Sequence, residues 1–475
     1  MKAKNTRVLF VYPVTRPEFM PITFYHGIAH LSSVLKQQGY ATDMLYIWEF
    51  DRKKIADKLD SFKPGLIAVS SVTDQLDLAK NIISFIGKNQ KIPIILGGIH
   101  ATVDPEESIK IPELTGICMG EGEYALLELA DAIEQKKDYH NIKNFWFKKD
   151  NEIIKNPLRP LINDINNLPF PDRELFTENA GVSDEVGFKA TRNCPYQCAF
   201  CVNKHMMGLY QGKGKYIRIR SVDNLLKEIL EVKNKYKIRK VLMDDEIFGI
   251  DKKWLKEFCE KYEQQVKLPF IISTRVNLID EETVKMLKKA GCFEFKMAIE
   301  SGNDYLRNEI LKKNITKKQI IDAFRLVRRY GMKATTYIMI GVPYETEETI
   351  RETIRLCRKV KPYRMGIAVF QPYKSGGDLY KLCEDKGWIS NRKSDSYFNE
   401  VSVLDQPSIS KETITYYKRT FVGYVNYPTL SAIIDKIRIT RKYSLYTLLL
   451  KLKRFVALNL PPRYIDFIMK HIKTF

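Results

Sequence analysis

The chain has 475 residues, beyond the size at which one hydrophobic core stops growing, so two or three domains are expected. Its 44% hydrophobic content is ordinary for a globular protein. No apolar run reaches transmembrane length, and residues 1–12 show a few charges and a short apolar strand instead of a signal peptide, so a cytoplasmic protein is expected. The net charge of +21 suits an anionic partner, an anionic membrane or simply a lysine-rich surface, and the last is expected for most of the chain.

To about Lys149, strands and helices alternate, which points to an α/β domain with a parallel doubly wound sheet. Strands are expected at 7–12, 42–48, 65–71, 92–96 and 116–119, with amphipathic helices such as 28–38 and 75–88 between them. Ligands of such sheets bind beyond the carboxyl ends of the strands. That edge carries Ser70-Ser71, Gly97-Gly98-Ile99-His100 and Gly120-Glu121-Gly122-Glu123. Glycine there lets a bulky ligand approach the backbone, although tight strand-to-helix turns need it too. His26 and His30, four residues apart in the first helix, read as surface or core histidines.

From about Asp150 to Glu185, Pro157, Pro160, Pro169 and Pro171 break any regular element, and the stretch reads as a connector. The alternation then resumes, with strands expected at 187–191, 239–243, 270–273, 292–298, 334–340 and 364–370. Helices are expected at about 222–236, 252–265, 281–290, 317–330 and 347–360. Six such units suit a partial (βα)6 barrel, whose ligands sit at the carboxyl ends of its strands.

Just after the first of these strands comes Cys194-Pro195-Tyr196-Gln197-Cys198-Ala199-Phe200-Cys201. A four-iron cluster normally takes four thiolates; three at this spacing leave one iron free to bind a small molecule. The competing reading is structural zinc, which is closed by four ligands, usually in two spaced pairs. His205 is the only nearby candidate for a fourth, and there is no second Cys-x-x-Cys pair. Cys118, Cys259, Cys292, Cys357 and Cys383 are scattered and read as core residues rather than a disulfide framework.

The cysteine spacing, with an aromatic residue before the third, resembles the signature of the radical S-adenosylmethionine (SAM) enzymes. The sheet ahead of it resembles the cobalamin-binding domain of many of these enzymes. The resemblance covers about Arg7 to Ile389 and implies a 4Fe-4S cluster on Cys194, Cys198 and Cys201, with SAM and cobalamin as further cofactors. It implies cobalamin contacts from Ser70, Ser71, Gly97, Gly98, His100, Gly120 and Glu121. Where histidine-coordinating relatives carry Asp-x-His-x-x-Gly, this chain has Pro13-Val14-Thr15-Arg16-Pro17-Glu18, so water or a non-histidine residue is expected below the cobalt. Leu168-Pro169-Phe170-Pro171-Asp172 resembles the linker before the cluster domain.

For SAM, the resemblance implies Phe200, then Asp245 and Glu246 toward the amino group and Arg275 toward the carboxylate. Glu300 and Ser301 would take the ribose, and Tyr337, Ile340 and Gly341 the adenine. Singly, each reads equally well as a capping acid, an ion pair or a turn. Residues 370–380 resemble the turn that closes the barrel, with Asp378 where threonine is commoner.

The domains expected are therefore 1–149 for cobalamin, 150–185 as linker, 186–389 as barrel and 390–475 as a basic helical region. From Ser431 to Phe475, ten Lys or Arg stand against two Asp or Glu. Such an amphipathic segment lies on the inner face of an anionic membrane or caps the barrel mouth. The family implies reductive cleavage of SAM to a 5′-deoxyadenosyl radical, an electron donor of flavodoxin or ferredoxin type, and methylation of an unactivated carbon in a small-molecule or lipid-like substrate. Ring rearrangement or cyclisation shares every motif. An RNA-modifying enzyme is disfavoured, because the tail shows no recognisable nucleic-acid motif. A non-catalytic cobalamin or redox sensor would need none of the SAM-binding residues.

Overall fold

The computed structural model describes residues 3–14, 24–180, 183–390, 401–431 and Asp435. They divide into two compact units, Met1–Ile272 with Tyr373–Tyr380, and Ser273–Pro372 with Lys381–Phe475.

The first unit opens with a seven-stranded sheet: β1 (Arg7–Pro13), β2 (Ala41–Ile47), β3 (Leu66–Ser70), β4 (Ile94–Gly97), β5 (Gly116–Cys118), β6 (Phe145–Lys149) and β7 (Glu152–Lys155). Its order is β2-β1-β3-β4-β5-β6-β7, parallel through β5 and antiparallel beyond. Successive residues of β1 enter opposite cores: Val8, Phe10 and Tyr12 pack on one face, Leu9 and Val11 on the other. A sheet buried on both faces reads as a continuous apolar run rather than an alternation. The switch in strand order between β1 and β3 is where doubly wound sheets bind ligands.

The expected connector needs correction. Residues 145–155 form a hairpin that completes the sheet, and Glu174–Ala180 is helical. Asp150 and Asn151, at φ +47° and +66°, make the two-residue turn that a hairpin favours.

Beyond the hairpin, strands Glu185–Phe188, Lys240–Met243 and Phe270–Ser273 pair in parallel in that order. Thr191–Arg192 pairs antiparallel with Arg218–Ile219. Side chains cap the intervening helices: Ser221 accepts from Asn224 N, and Asp251 from Lys253 N and Trp254 N. Each cap satisfies amides that a helix start leaves without partners.

In the second unit, strands Cys292–Lys296, Lys333–Ile340 and Arg364–Val369 are parallel. Helices Glu281–Lys289, Lys317–Arg329 and Glu347–Val360 accompany them, capped by Asp280, Thr316 and Thr346. Helix Lys411–Asn426 packs against Glu347–Val360, where Arg358 donates to the Tyr424 carbonyl at 2.9 and 2.7 Å. No helix among the described residues is long and apolar enough to cross a membrane. The basic tail lies outside the described residues, apart from Ser431 and Asp435.

Candidate active site

The first unit holds a cavity of about 310 Å³. One side is the carboxyl edge of the sheet, with Ser70, Gly97, Gly98, Gly120 and Glu121; the other includes Lys189, Thr191, Arg192, Asn193 and Glu246. The edge is built for glycine. Gly98 has φ +90°, and a Cβ there would lie 2.7 Å from the Ser71 carbonyl oxygen. Gly120, at φ +72°, would place a Cβ on the Tyr210 hydroxyl. Gly97 differs, because its Cβ would meet nothing closer than 3.8 Å.

Two expected cobalamin residues do not reach this cavity. Ser71 is buried and donates to the Val72 carbonyl at 2.8 Å. His100 is buried beneath the edge, its Nδ1 3.2 Å from Thr73 Oγ1. Glu121 does line the cavity, but its carboxylate is taken up by Arg192 at 3.1 Å and by two Arg218 nitrogens at 2.9 and 2.8 Å.

The cysteine loop begins where Asn193, at φ +70°, leaves the strand pair and donates to the Tyr216 carbonyl at 2.9 Å. Cys194 and Cys198 are buried and Cys201 partly so. Cys201 N donates to the Cys198 carbonyl at 3.0 Å, and Asn203 Nδ2 lies 3.6 Å from Cys201 Sγ. Burial, together with the neighbouring Cys201 and Cys198, pushes the Cys194 thiol up to about 11. Burial raises Cys201 as well. Thiols crowded in this way become stable thiolates when positive metal sits among them, so the donor set fits an iron–sulfur cluster. Among the described residues no trio of His, Cys, Asp or Glu converges as a single metal ion needs. Cys118, Cys259, Cys292, Cys357 and Cys383 are all buried.

Asp245 braces this loop. Its buried carboxylate accepts from Ala190 N at 3.0 Å and from Thr191 N and Oγ1 at 2.6 Å each, while burial pushes it up to about 6. Glu246 pairs with Lys189 at 2.9 Å in the cavity wall. Phe200 backs onto Gly376, whose Cβ would lie 3.4 Å from the Phe200 carbonyl oxygen. Lys204 also pairs with Asp378.

In the second unit, Glu300 has φ +65° and accepts from Lys313 Nζ at 2.7 Å. Arg275 Nη2 donates to the Lys313 carbonyl, and Nε to Asn277 Oδ1 at 3.1 Å. Ser301 is fully buried, its Oγ accepting from Asn303 N at 3.2 Å. Tyr337 is 44% exposed, whereas Ile340 is buried. Gly341, at φ +75°, donates to Glu345 Oε2 and accepts from Gln406 Nε2 at 3.2 Å. Lys313 and Gln406, 13 and 65 residues from the groups they bond, leave no local trace in the sequence, and Glu345, only four residues from Gly341, carries no motif that marks it.

A glycine-edged doubly wound sheet followed by a three-cysteine loop on a parallel strand series defines a cofactor-dependent enzyme of the radical SAM type. Two family models match, one described as radical SAM superfamily over residues 188–357 and one as B12 binding domain over 22–130. An uncharacterized methyltransferase of Pyrococcus horikoshii is 26% identical over 393 residues, covering 78% of this chain and 82% of that protein. The anaerobic magnesium-protoporphyrin IX monomethyl ester cyclase of Rubrivivax gelatinosus is 24% identical over 439 residues, covering 88% and 76%. The fold matches the cobalamin-dependent SAM radical enzyme OxsB, solved with aqua-cobalamin and SAM bound, at TM-score 0.67 and 18% identity, covering 98% of this chain and 75% of that one. The chain belongs to the cobalamin-dependent radical SAM enzymes, and its cofactors are a 4Fe-4S cluster, SAM and cobalamin.

Proposed function

We propose that this enzyme methylates an unactivated carbon of a small-molecule or lipid-like substrate. The observation that carries the reading is the first unit's cavity, walled both by the glycine edge and by the strand that leads into Cys194. Cobalamin held on that edge would face the cysteine-bearing segment across the cavity, which brings the two halves of the chemistry together. The three cofactors supply one-electron cleavage of SAM and carriage of a methyl group.

The residues then divide the work. Cys194, Cys198 and Cys201 hold the cluster. Ser70, Gly97, Gly98 and Gly120 give cobalamin a close backbone surface, Ser71 and His100 shape that edge from behind, and Glu121, held by Arg192 and Arg218, fixes its last turn. Asp245 fixes the loop, and Glu246 with Lys189 places a carboxylate toward the SAM ammonium. In the second unit, Arg275, Glu300, Ser301, Tyr337, Ile340 and Gly341 are assigned to the rest of SAM. Residues 390–475 are assigned to the substrate, with anionic-membrane contact through the basic tail. A flavodoxin- or ferredoxin-type protein is the assigned electron donor.

Anaerobic turnover with SAM deuterated in its methyl group tests the reading. Label should enter a product isolated from extracts of the source cell. The cyclase relative favours a second reading, cyclisation, in which 5′-deoxyadenosine forms and the product carries no label.

A further inference from the structure

This inference rests on assigning the first unit's cavity to cobalamin. Helix α1 (His26–Gln37) sends two histidines into the cavity wall, and neither has a part in holding the cluster or SAM. His26 is 9% exposed, and neither ring nitrogen has a hydrogen-bond partner. Asp244 stands 3.8 Å from Nε2, beyond hydrogen-bond reach. One turn on, the His30 ring faces the Pro169 carbonyl and leaves Nδ1 buried and unpartnered. Burial, with Lys189, Arg173 and Arg220 nearby, holds His26 well below the usual histidine range; burial, with Arg192 and Arg220, takes His30 to about 3. Both rings are therefore neutral at pH 7.

A neutral imidazole offers one donor and one acceptor, and leaving such groups unmatched in a folded interior is costly. At His26 a carboxylate would satisfy only the donor and an ammonium only the acceptor, while His30, whose other nitrogen meets the Pro169 carbonyl, has only an acceptor left. A primary carboxamide answers both, since it carries an N–H donor and a carbonyl acceptor on one small planar group. The rim of a corrin ring bears such amides. Phe10, Ile28, Leu31 and Leu126 supply apolar wall to the same cavity, whose other polar lining includes Ser70, Lys189, Arg192, Asn193 and Glu246.

We propose that His26 and His30 form a carboxamide-binding pair that grips an amide side chain of the corrin ring. They are thus cobalamin-retaining residues, separate from any role at the metal.

The test titrates the full chain anaerobically, without substrate, with hydroxocobalamin and with aquacobinamide, which keeps the corrin amides but lacks the nucleotide tail. Bound corrinoid is read by equilibrium dialysis and visible spectrum. His26→Phe and His30→Phe should each weaken both corrinoids about tenfold, and His26→Gln, which restores a donor and an acceptor, should stay within about twofold of wild type. Circular dichroism identifies a phenylalanine variant that has misfolded, and the glutamine variant then decides: a loss beyond twofold overturns the pair. Weakening confined to cobalamin would show that the histidines read the tail, and unchanged affinity would show that they do not hold the corrin; either overturns the proposal. Nitrogen hyperfine splitting in the Co(II) spectrum that vanishes in a histidine variant would make that residue a cobalt ligand, and would also overturn it. Wild type that retains neither corrinoid refutes the cavity's assignment itself, which is a distinct failure.

Discussion

Arg192 joins Glu121 at 3.1 Å and Glu123 at 2.5 Å, and so ties the strand entering the cysteine loop to the glycine edge of the sheet. Tyr210 fastens the far end of the loop, its hydroxyl accepting from Glu121 N at 2.9 Å. Both ends of the cysteine-bearing segment are therefore anchored to one turn. Removing one partner from a buried ion pair strands the other charge. Glu121→Gln, which faces both Arg192 and the buried Arg218, should destabilise the chain by about 3 kcal/mol, read as a lower urea midpoint. An unchanged midpoint would mean that the network contributes nothing.

The cysteines permit a clean separation. Alanine at Cys194, Cys198 or Cys201 should abolish the cluster's visible absorption and iron content after anaerobic reconstitution. Alanine at Cys118 or Cys357, both buried as apolar filling, should leave iron content unchanged. Zinc in place of iron, with no SAM cleavage, would refute the assignment.

Gly97 and Gly98 should behave differently despite being neighbours. Valine at Gly97 projects beside Cys118 with no contact closer than 3.8 Å for its Cβ, whereas at Gly98 it meets the Ser71 backbone at 2.7 Å. Gly97→Val should therefore lose cobalamin while keeping its thermal midpoint. Gly98→Val should lower the midpoint as well. Equal corrinoid binding by wild type and Gly97→Val would remove cobalamin from this edge.

Glu345 gives a pH signature. Burial pushes its carboxyl up to about 8, and Oε1 has no hydrogen-bond partner. An acid whose folded pKa is raised binds its proton more tightly when folded, so its contribution to stability is fully present below the unfolded pKa. That contribution is lost as pH rises toward the folded value, and the slope flattens above it. Glu345→Gln should thus be more stable than wild type at pH 8, with the gain shrinking toward pH 5. Denaturant melts at the two pH values check this, and a pH-independent difference would contradict it.

Most of the fold and the cysteine loop are legible in the sequence because their signals are local. The alternation of apolar strand and amphipathic helix marks a covered parallel sheet, and the three cysteines lie within eight residues. The hairpin at 145–155 is less legible, although Asp150-Asn151 between Phe145, Phe147 and Ile153 is a turn signal; the four prolines that follow pull the reading toward a connector. Glu121 points to a ligand when read locally, because its partners lie 71 and 97 residues away, beyond any local pattern. His26 and His30 are illegible for a related reason: spacing places them on one helix face, but only the assembled fold reveals that their nitrogens have no partner.

The hairpin matters for how the protein is inherited and dissected. Asn144, just before it, donates from Nδ2 to the Glu121 carbonyl at 2.6 Å and accepts from Arg159 N, also at 2.6 Å. The segment leaving the sheet is thus stitched into the very turn that anchors the cysteine loop. Cutting after residue 149 would strip away an edge strand and unpick that turn, so residues 1–149 are no portable cassette. Swapping it for the corresponding region of a relative would demand exchange through Arg218 at least, because the seam between the two modules is sewn well past the point where the residue pattern changes.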